Sequence, residues 1–335
     1  MDIKAKRLSI IIPVYNAEKY LERCVVSCMS QELAEGEYEI LLCNDGSTDG
    51  SLAIAEDFSQ KHYCIKVYSQ ANAGAGMARN LGLKHAVGNY VIFVDSDDYL
   101  VPDSLKPLLE KCEELDLDIC KYVIKCINLD NGITNTRFSP VRTNTIFTGY
   151  ELLANPAVPL DSACSSFYKR QLLIDNNIYF GNQTSSEDVV FNIHAYPHAK
   201  HVMFSNKHVY TYEVRTGSRG HSIDYLSRKR YLLNNIKNAG LVMTQAKTAE
   251  LQSKSINESL LKRANSMTVG AILELLHGKI YFSRNDAIEA LDSAINHGLY
   301  PIHGKTFSWK TTMLAHLVLN RKKLLLSRFS INKNA

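Results

Sequence analysis

No two cysteines in this chain stand at CxxC spacing. Its eight cysteines, at 24, 28, 43, 64, 112, 120, 126 and 164, fall mainly within apolar segments. That argues against a zinc cluster or a disulfide framework and for buried, reduced thiols. Long hydrophobic runs are also missing, since no window approaches the roughly 20 apolar residues that a membrane-spanning helix needs. The first apolar stretch is short and closed by Pro13, unlike the hydrophobic region of a signal peptide, so a cytoplasmic start is expected. Surplus charge is scarce: a formal net charge of +4 on 335 residues argues against a dedicated nucleic-acid binder. From Pro301 onward there is no Asp or Glu at all, while Lys305, Lys310, Arg321, Lys322, Lys323, Arg328 and Lys333 lie there. Internal repeats and low-complexity linkers are absent too.

What is present is enough apolar material for a large core, at 45% hydrophobic residues, in a chain longer than one ordinary domain. The first hundred residues alternate β-branched runs with helix-like stretches, the pattern of a parallel sheet covered by helices. Strands are expected at Leu8–Val14, Tyr38–Cys43, Ile65–Tyr68 and Tyr90–Val94. Helices are expected at Glu18–Gln31, Asp49–Gln60, Gly76–His85 and Ser104–Leu115. Beyond these the repeat breaks down, with extended segments at Ile119–Ile127 and Thr134–Phe147 around the turn signal Asn131-Gly132. From about Asp224 the spacing turns helical, through Leu226–Leu251, Ile256–Leu276 and Ala287–Ile295.

Ligands of open α/β sheets bind beyond the carboxyl ends of the strands, where helix N-termini offer unpaired amides. Those positions hold Tyr15-Asn16, Asn44-Asp45-Gly46-Ser47 and Asp95-Ser96-Asp97-Asp98. Three carboxylates within four residues are costly unless a cation or solvent neutralises them. Mg²⁺ or Mn²⁺ with a nucleotide diphosphate would do so, because such cations take one or two carboxylates plus phosphate oxygens. Taken alone, the cluster reads better as an acidic loop capping the next helix, and it is the neighbouring segments that reverse this. A turn and an N-cap at Thr48 or Asp49 account for Gly46–Ser51 but do not require Asp45, which suits the imide N–H of a uracil or a base amino group. Arg79, on the first helical turn after Asn72-Ala73-Gly74-Ala75-Gly76, suits a base or phosphate.

Four blocks together, Ile10-Ile11-Ile12-Pro13-Val14-Tyr15-Asn16, Asn44-Asp45-Gly46-Ser47-Thr48-Asp49, Asn72-x-Gly74-x-x-x-Ala78-Arg79-Asn80 and Val94-Asp95-Ser96-Asp97-Asp98, resemble the family-2 glycosyltransferases of GT-A fold. The resemblance covers the first hundred residues closely and continues more loosely to about Ile223. It implies an inverting transferase that uses a nucleotide sugar, by preference a UDP-sugar, with Mn²⁺ or Mg²⁺, of the bacterial surface-polysaccharide type. By this resemblance Pro13 and Asp45 lie against the base, with Tyr15, Asn72 and Arg79 lining the nucleotide pocket. Asp95 and Ser96 then face the ribose-phosphate region and Asp97 holds the metal.

Ser185-Ser186-Glu187-Asp188-Val189-Val190-Phe191 matches the family's Glu-Asp block at a helix start near the acceptor, which makes Asp188 the expected general base and Glu187 the second choice. An inverting transfer needs such a carboxylate within hydrogen-bond reach of the attacking hydroxyl. Ser185 or Ser186 as N-cap, with two acids favouring the helix dipole, is the competing structural account. Further on, Arg215, His221 and Ser222 lie in a glycine-containing loop that suits a lid over the diphosphate. Related transferases place a histidine and a serine here, against metal and phosphate.

The expected architecture is therefore an α/β, Rossmann-like GT-A nucleotide-diphospho-sugar transferase domain over 1–223, with a C-terminal helical region over 224–335. Within the first domain, 1–118 is the nucleotide-sugar half and 119–223 the acceptor half. The acceptor is expected to be a saccharide or a lipid-linked saccharide. Residues 313–329 read either as a basic amphipathic segment on an anionic membrane or as a helix packed on the domain or on a partner in a homodimer. Two other functions compete: a catalytically silent nucleotide-sugar-binding protein, and a nucleotidyltransferase, for which a basic glycine-rich N-terminal loop is lacking.

Overall fold

The computed structural model describes residues 6–129, 131–136, 142–160, 162–181, 186–214, 224–249, 253–277 and 282–329. The chain divides into two compact units, Met1–Leu152 with Ala157–Thr216, and Leu153–Pro156 with Gly217–Ala335.

The first unit opens with β1 (Leu8–Val14), α1 (Leu21–Met29), β2 (Tyr38–Asn44), α2 (Ser51–Lys61), β3 (Ile65–Ser69), α3 (Ala75–His85) and β4 (Tyr90–Phe93). Each strand lies within one residue of its expected bounds. β1 and β2 are buried along their whole lengths, which is why they read as unbroken apolar runs rather than as an alternation. Strands β3, β2, β1 and β4 pair in parallel in that order. Close seating of α3 on this sheet depends on Gly82, where a Cβ would collide with Ile11 and approach the Cys43 sulfur at 2.9 Å.

The second half adds β5 (Tyr99–Leu100), α4 (Leu105–Glu114), β6 (Ile119–Asn128), β7 (Thr134–Thr136), β8 (Ile146–Phe147), α5 (Gly149–Ala154), β9 (Ser166–Lys169), α6 (Arg170–Asp175), α7 (Glu187–Ala195) and β10 (Val202–Val214). The sheet continues from β4 through β9, β6 and β10 to β5. β9 is antiparallel to both its neighbours, so the parallel repeat ends at β4. β6 and β7 pair antiparallel around the turn at Asn131-Gly132, with Gly132 at φ +70°. The extended reading of Thr134–Phe147 holds only at its ends, as β7 and β8; residues 137–141 lie outside the described set.

Strand order reverses between β1 and β4, and this positions the site. Pairing with β4 ends where Ile11 accepts the Val94 amide at 3.0 Å, whereas β1 runs on beside β2 as far as Val14 and Asn44. Residues 11 and 13 face the β4 side, so Pro13, which has no N–H, sits where no ladder bond is required. The two strands part there, at the switch point where open α/β sheets bind ligands.

In the second unit, α8 (Tyr225–Ala249), α9 (Lys254–His277) and α10 (Arg284–Asn296) are followed by the short helices α11 (Trp309–Leu314) and α12 (Lys322–Leu326). A capping box joins Ser283 to Asp286 at the start of α10. Against the upward push of burial, Lys229, Tyr225 and Ser283 hold the Asp286 carboxyl down at about 2. All eight cysteines are free thiols; seven are buried and Cys126 is partly so.

Candidate active site

The loops leaving β1, β2 and β3 are laced together by short polar side chains. Asn16, at φ +49°, receives the Thr48 amide on its Oδ1 at 2.8 Å, and Ser51 Oγ accepts the Ala17 amide at 2.7 Å. Asp49 receives the Ser51 and Glu18 amides, although Gly50 rather than Asp49 or Thr48 occupies the N-cap position of α2. Asp45 is 2% exposed. Its carboxylate accepts from the amides of Ala73 (2.9 Å) and Gly74 (2.8 Å) and from Gln70 Nε2 (2.8 Å). The loop bearing Asn72 is thus shaped by Asp45, a structural task that the turn-and-cap account of residues 46–51 did not contain. Tyr15 and Asn72 are exposed beside it, and Pro13 is buried beneath.

After β4 the chain enters the acidic loop, whose members have separate environments. Asp98 is 1% exposed. It accepts the Tyr210 hydroxyl at 2.6 Å and the Glu213 amide at 3.1 Å. Burial, then the charges of Asp95 and Asp97, push its carboxyl well above the usual range. The same Tyr210 hydroxyl accepts the Asp95 amide at 3.1 Å. From α1, Arg23 grips both oxygens of Glu213 at 2.6 and 2.9 Å, donates to the Asp97 carbonyl at 3.2 Å and stacks over Tyr99. The loop is therefore clamped from β10 and from α1, leaving Asp95, Ser96 and Asp97 partly exposed.

Arg79 joins this loop to the distant Glu-Asp block. The helix begins at Ala75, so Arg79 is on its second turn, not its first. Its Nη2 lies 2.6 Å from Asp95, and its Nη1 lies 3.3 Å from Asp188 and 3.4 Å from Glu187. The guanidinium is buried above the Phe180 ring, and its Nε has no hydrogen-bond partner among the described residues. Although burial opposes its charge, Asp95 and Asp188 hold it protonated. Close approach of α3 to this region requires Gly76, where a Cβ would come within 3.1 Å of Phe180 and 3.5 Å of the Glu187 side chain.

An aromatic cluster fixes α7 beneath these charges. Phe191, one turn beyond Asp188, stacks on Phe180 at 4.2 Å and meets Phe93 and Tyr168 edge-on. At the start of α7, Ser186 is left-handed and makes no capping hydrogen bond from its side chain. N-capping by Ser186 therefore does not explain the block, and Ser185 lies outside the described residues. Burial raises the Asp188 carboxyl to about 6; Arg79 opposes the rise, while Glu187 and Asp95 add to it.

Of the expected site residues, Pro13, Tyr15, Asp45, Asn72, Arg79, Asp95, Ser96 and Asp97 stand at the carboxyl ends of β1–β4, and Asp188 and Glu187 join them through Arg79. Arg215, His221 and Ser222 lie outside the described residues. The sequence reading did not identify Arg23, Tyr210, Glu213 or the aromatic cluster. For Tyr210 and Glu213 the one visible signal is the strand-like alternation of Tyr210-Thr211-Tyr212-Glu213.

Among the described residues no group of three or more His, Cys, Asp and Glu side chains is placed to hold a metal. Asp97, with Asp95 engaged by Arg79, would offer a cation one or two carboxylates. That donor set fits a hard divalent cation completed by phosphate oxygens, and not a closed zinc-type site.

Residues 9–176 match the family described as Glycosyl transferase family 2. The chain is 34% identical over 220 residues to the glycosyltransferase GlyA of Streptococcus pneumoniae, covering 63% of this chain and 31% of that protein. It is 30% identical to the poly(ribitol-phosphate) beta-N-acetylglucosaminyltransferase TarS of Staphylococcus aureus, covering 66% of this chain and 38% of TarS. The matches thus span about a third of the length of these two relatives. In fold, the chain is similar to residues 1–349 of TarS in complex with UDP-GlcNAc, with a TM-score of 0.59, 23% identity and coverage of 87% and 89%. The mannosyltransferase PcManGT of Pyrobaculum calidifontis, in complex with GDP-Man and Mn²⁺, gives a TM-score of 0.54 at 17% identity, with coverage of 97% and 90%. Its α/β sheet is of the GT-A type, and the chain belongs to glycosyl transferase family 2.

Proposed function

We propose that the protein is an inverting glycosyltransferase that moves a sugar from a UDP-sugar onto an acceptor hydroxyl, with Asp188 as general base. One observation carries this reading: Arg79 holds Asp95, at the strand end suited to the donor, and Asp188, at the start of α7, on a single guanidinium.

In this reading the nucleotide lies across the ends of β1–β3. Pro13, Tyr15 and Asn72 line its base, Asp45 meets the uracil imide, and Asp95 and Ser96 face the ribose and phosphate. Asp97 would hold Mn²⁺ or Mg²⁺, with His221 as a further contact, and the ion supplies neutralisation of the departing diphosphate. Arg215 and Ser222 meet the diphosphate oxygens. Asp188 takes the acceptor hydroxyl's proton as that oxygen bonds to the anomeric carbon, on the face opposite the breaking bond to diphosphate. The products are the inverted glycoside and UDP, and the proton passes from Asp188 to solvent. A carboxyl raised to about 6 is mostly ionised at neutral pH yet more basic than an ordinary aspartate, as a general base requires. Glu187, beside it, helps set that value.

TarS is named for transfer to poly(ribitol-phosphate) and is bound to UDP-GlcNAc in its complex. This supports a UDP donor and an acceptor in a cell-surface polymer, either a saccharide or a lipid-linked saccharide. The test is a screen of nucleotide sugars for binding with Mn²⁺, followed by release of UDP in the presence of acceptors. Unimpaired transfer by both the Asp97→Asn and Asp188→Asn variants would overturn the assignment.

A further inference from the structure

The C-terminal helical unit carries a face that the chemistry above does not use. α11 continues into a wide π-helical turn at Ala315–Leu319, and this stretch is anchored from behind. Ala315 and Leu319 are buried, and the Tyr300 hydroxyl donates to the Leu319 carbonyl at 2.8 Å. Asn320 exchanges two hydrogen bonds with the Ile302 backbone, at 2.7 and 2.8 Å. What remains turned outward is apolar at four-residue steps: Trp309 is 70% exposed, Met313 50% and Leu317 54%. Phe307, Val318 and Leu324 are exposed nearby in sequence. Isolated exposed apolar residues need no explanation, but six large ones within eighteen residues, two of them aromatic, do.

Charge decides what covers this face. Lys305, Lys310, Arg321, Lys323 and Arg328 are exposed there, and the sequence from Pro301 onward holds no acid. Lys322 is the exception, turned back onto Asp292 of α10 at 2.8 Å. A second copy of the same face would bring like charges together, which disfavours self-association. An acidic bilayer surface attracts every one of these cations while accepting Trp309 and Phe307 at headgroup depth. Among the described residues no helix is long and apolar enough to cross a membrane, so the segment would lie in the interface and not span it.

We propose that residues 305–328 dock the protein on an anionic lipid surface, with Trp309, Met313 and Leu317 inserted and Lys305, Lys310, Lys323 and Arg328 against the headgroups. This deepens the transferase reading, since a lipid-linked acceptor would be met at that surface. Its test is nonetheless independent of catalysis.

Trp309 is the only tryptophan of the chain, so tryptophan fluorescence, excited selectively over the tyrosines, reports on this face alone. The full chain is titrated with vesicles of phosphatidylcholine, with and without phosphatidylglycerol, and co-sedimentation is measured in parallel. Expected are a blue shift and protection from aqueous quencher with phosphatidylglycerol only, both reversed by salt. The double variant Lys310→Gln/Lys323→Gln should lose about tenfold or more in partitioning. Met313→Ser/Leu317→Ser should lose a similar factor without a change in melting temperature, because both positions are exposed. Equal binding to neutral vesicles, or none to either, overturns the proposal, as does a lipid-free blue shift that grows with protein concentration and marks a second copy on this face. If UDP-sugar binding fails while vesicle binding holds, the transferase reading falls and the docking surface stands.

Discussion

The Tyr210 hydroxyl donates to the Asp98 carboxylate at 2.6 Å while accepting the Asp95 amide at 3.1 Å, so one side chain of β10 holds both ends of the acidic loop. Tyr210→Phe keeps the ring and leaves a buried carboxylate oxygen and a backbone N–H short of a partner. A loss of about 1–3 kcal/mol in unfolding free energy is expected, measured by urea denaturation. Mn²⁺-dependent UDP binding should weaken as well, because Asp97 sits within the loosened segment. Unchanged binding would mean that the loop keeps its shape without the tyrosine.

Replacing the proposed base separates chemistry from binding. Asp188→Asn should lower kcat by roughly 10²–10⁴-fold, the usual contribution of a positioned general base. Donor affinity, measured by calorimetry, should stay within a few-fold of the parent, since the amide keeps the size of the carboxyl group.

The pH profile follows from the environment of Asp188. Its active form is the carboxylate, so kcat/KM should rise with pH through an apparent pKa of about 6 and then level off. Glu187 raises that value by like charge, so Glu187→Gln should move the rising limb to lower pH. Arg79 lowers it, so Arg79→Met should move the limb to higher pH. Opposite displacements in the two variants are the diagnostic result, and movement in a common direction would refute the electrostatic account.

Asp97→Asn, or removal of divalent metal by a chelator, should abolish the metal-dependent part of UDP binding. The chelated wild-type protein should recover with added Mn²⁺ or Mg²⁺, and the variant should not. Titration calorimetry with and without metal distinguishes the two cases.

Gly82→Ala tests the seating of α3 on the sheet. The added methyl meets Ile11 and the Cys43 sulfur, so a loss of about 1–3 kcal/mol is expected from overpacking. Because α3 carries Arg79, the same variant should also reduce kcat, which a thermal melt together with a steady-state assay will show.

The sequence by itself determined the first half of the molecule. β1 and β2 are buried on both faces, so their composition is one unbroken apolar signal, and polar residues are left to gather at the strand ends. The long helices α8 and α9 were legible for a similar reason, since apolar spacing accumulates over many turns. β9 was not, because four residues, Ser166–Lys169, hold too little pattern to mark a strand wedged between β4 and β6.

Tertiary structure alone decided how the acidic residues divide their work. Asp95, Asp97 and Asp98 are chemically alike in sequence. They differ because Tyr210, 112 positions after Asp98, buries one of them, and Arg79 pairs with another. Asp45 acquires its loop-shaping role through amides at 73 and 74 that local propensity does not connect to it. The contact between Arg79 and Asp188 spans 109 positions and rests on a glycine at 76 and on stacked rings at 180 and 191. Such contacts are set by which helix the core permits to approach, a property of packed volumes and not of any local stretch of chain.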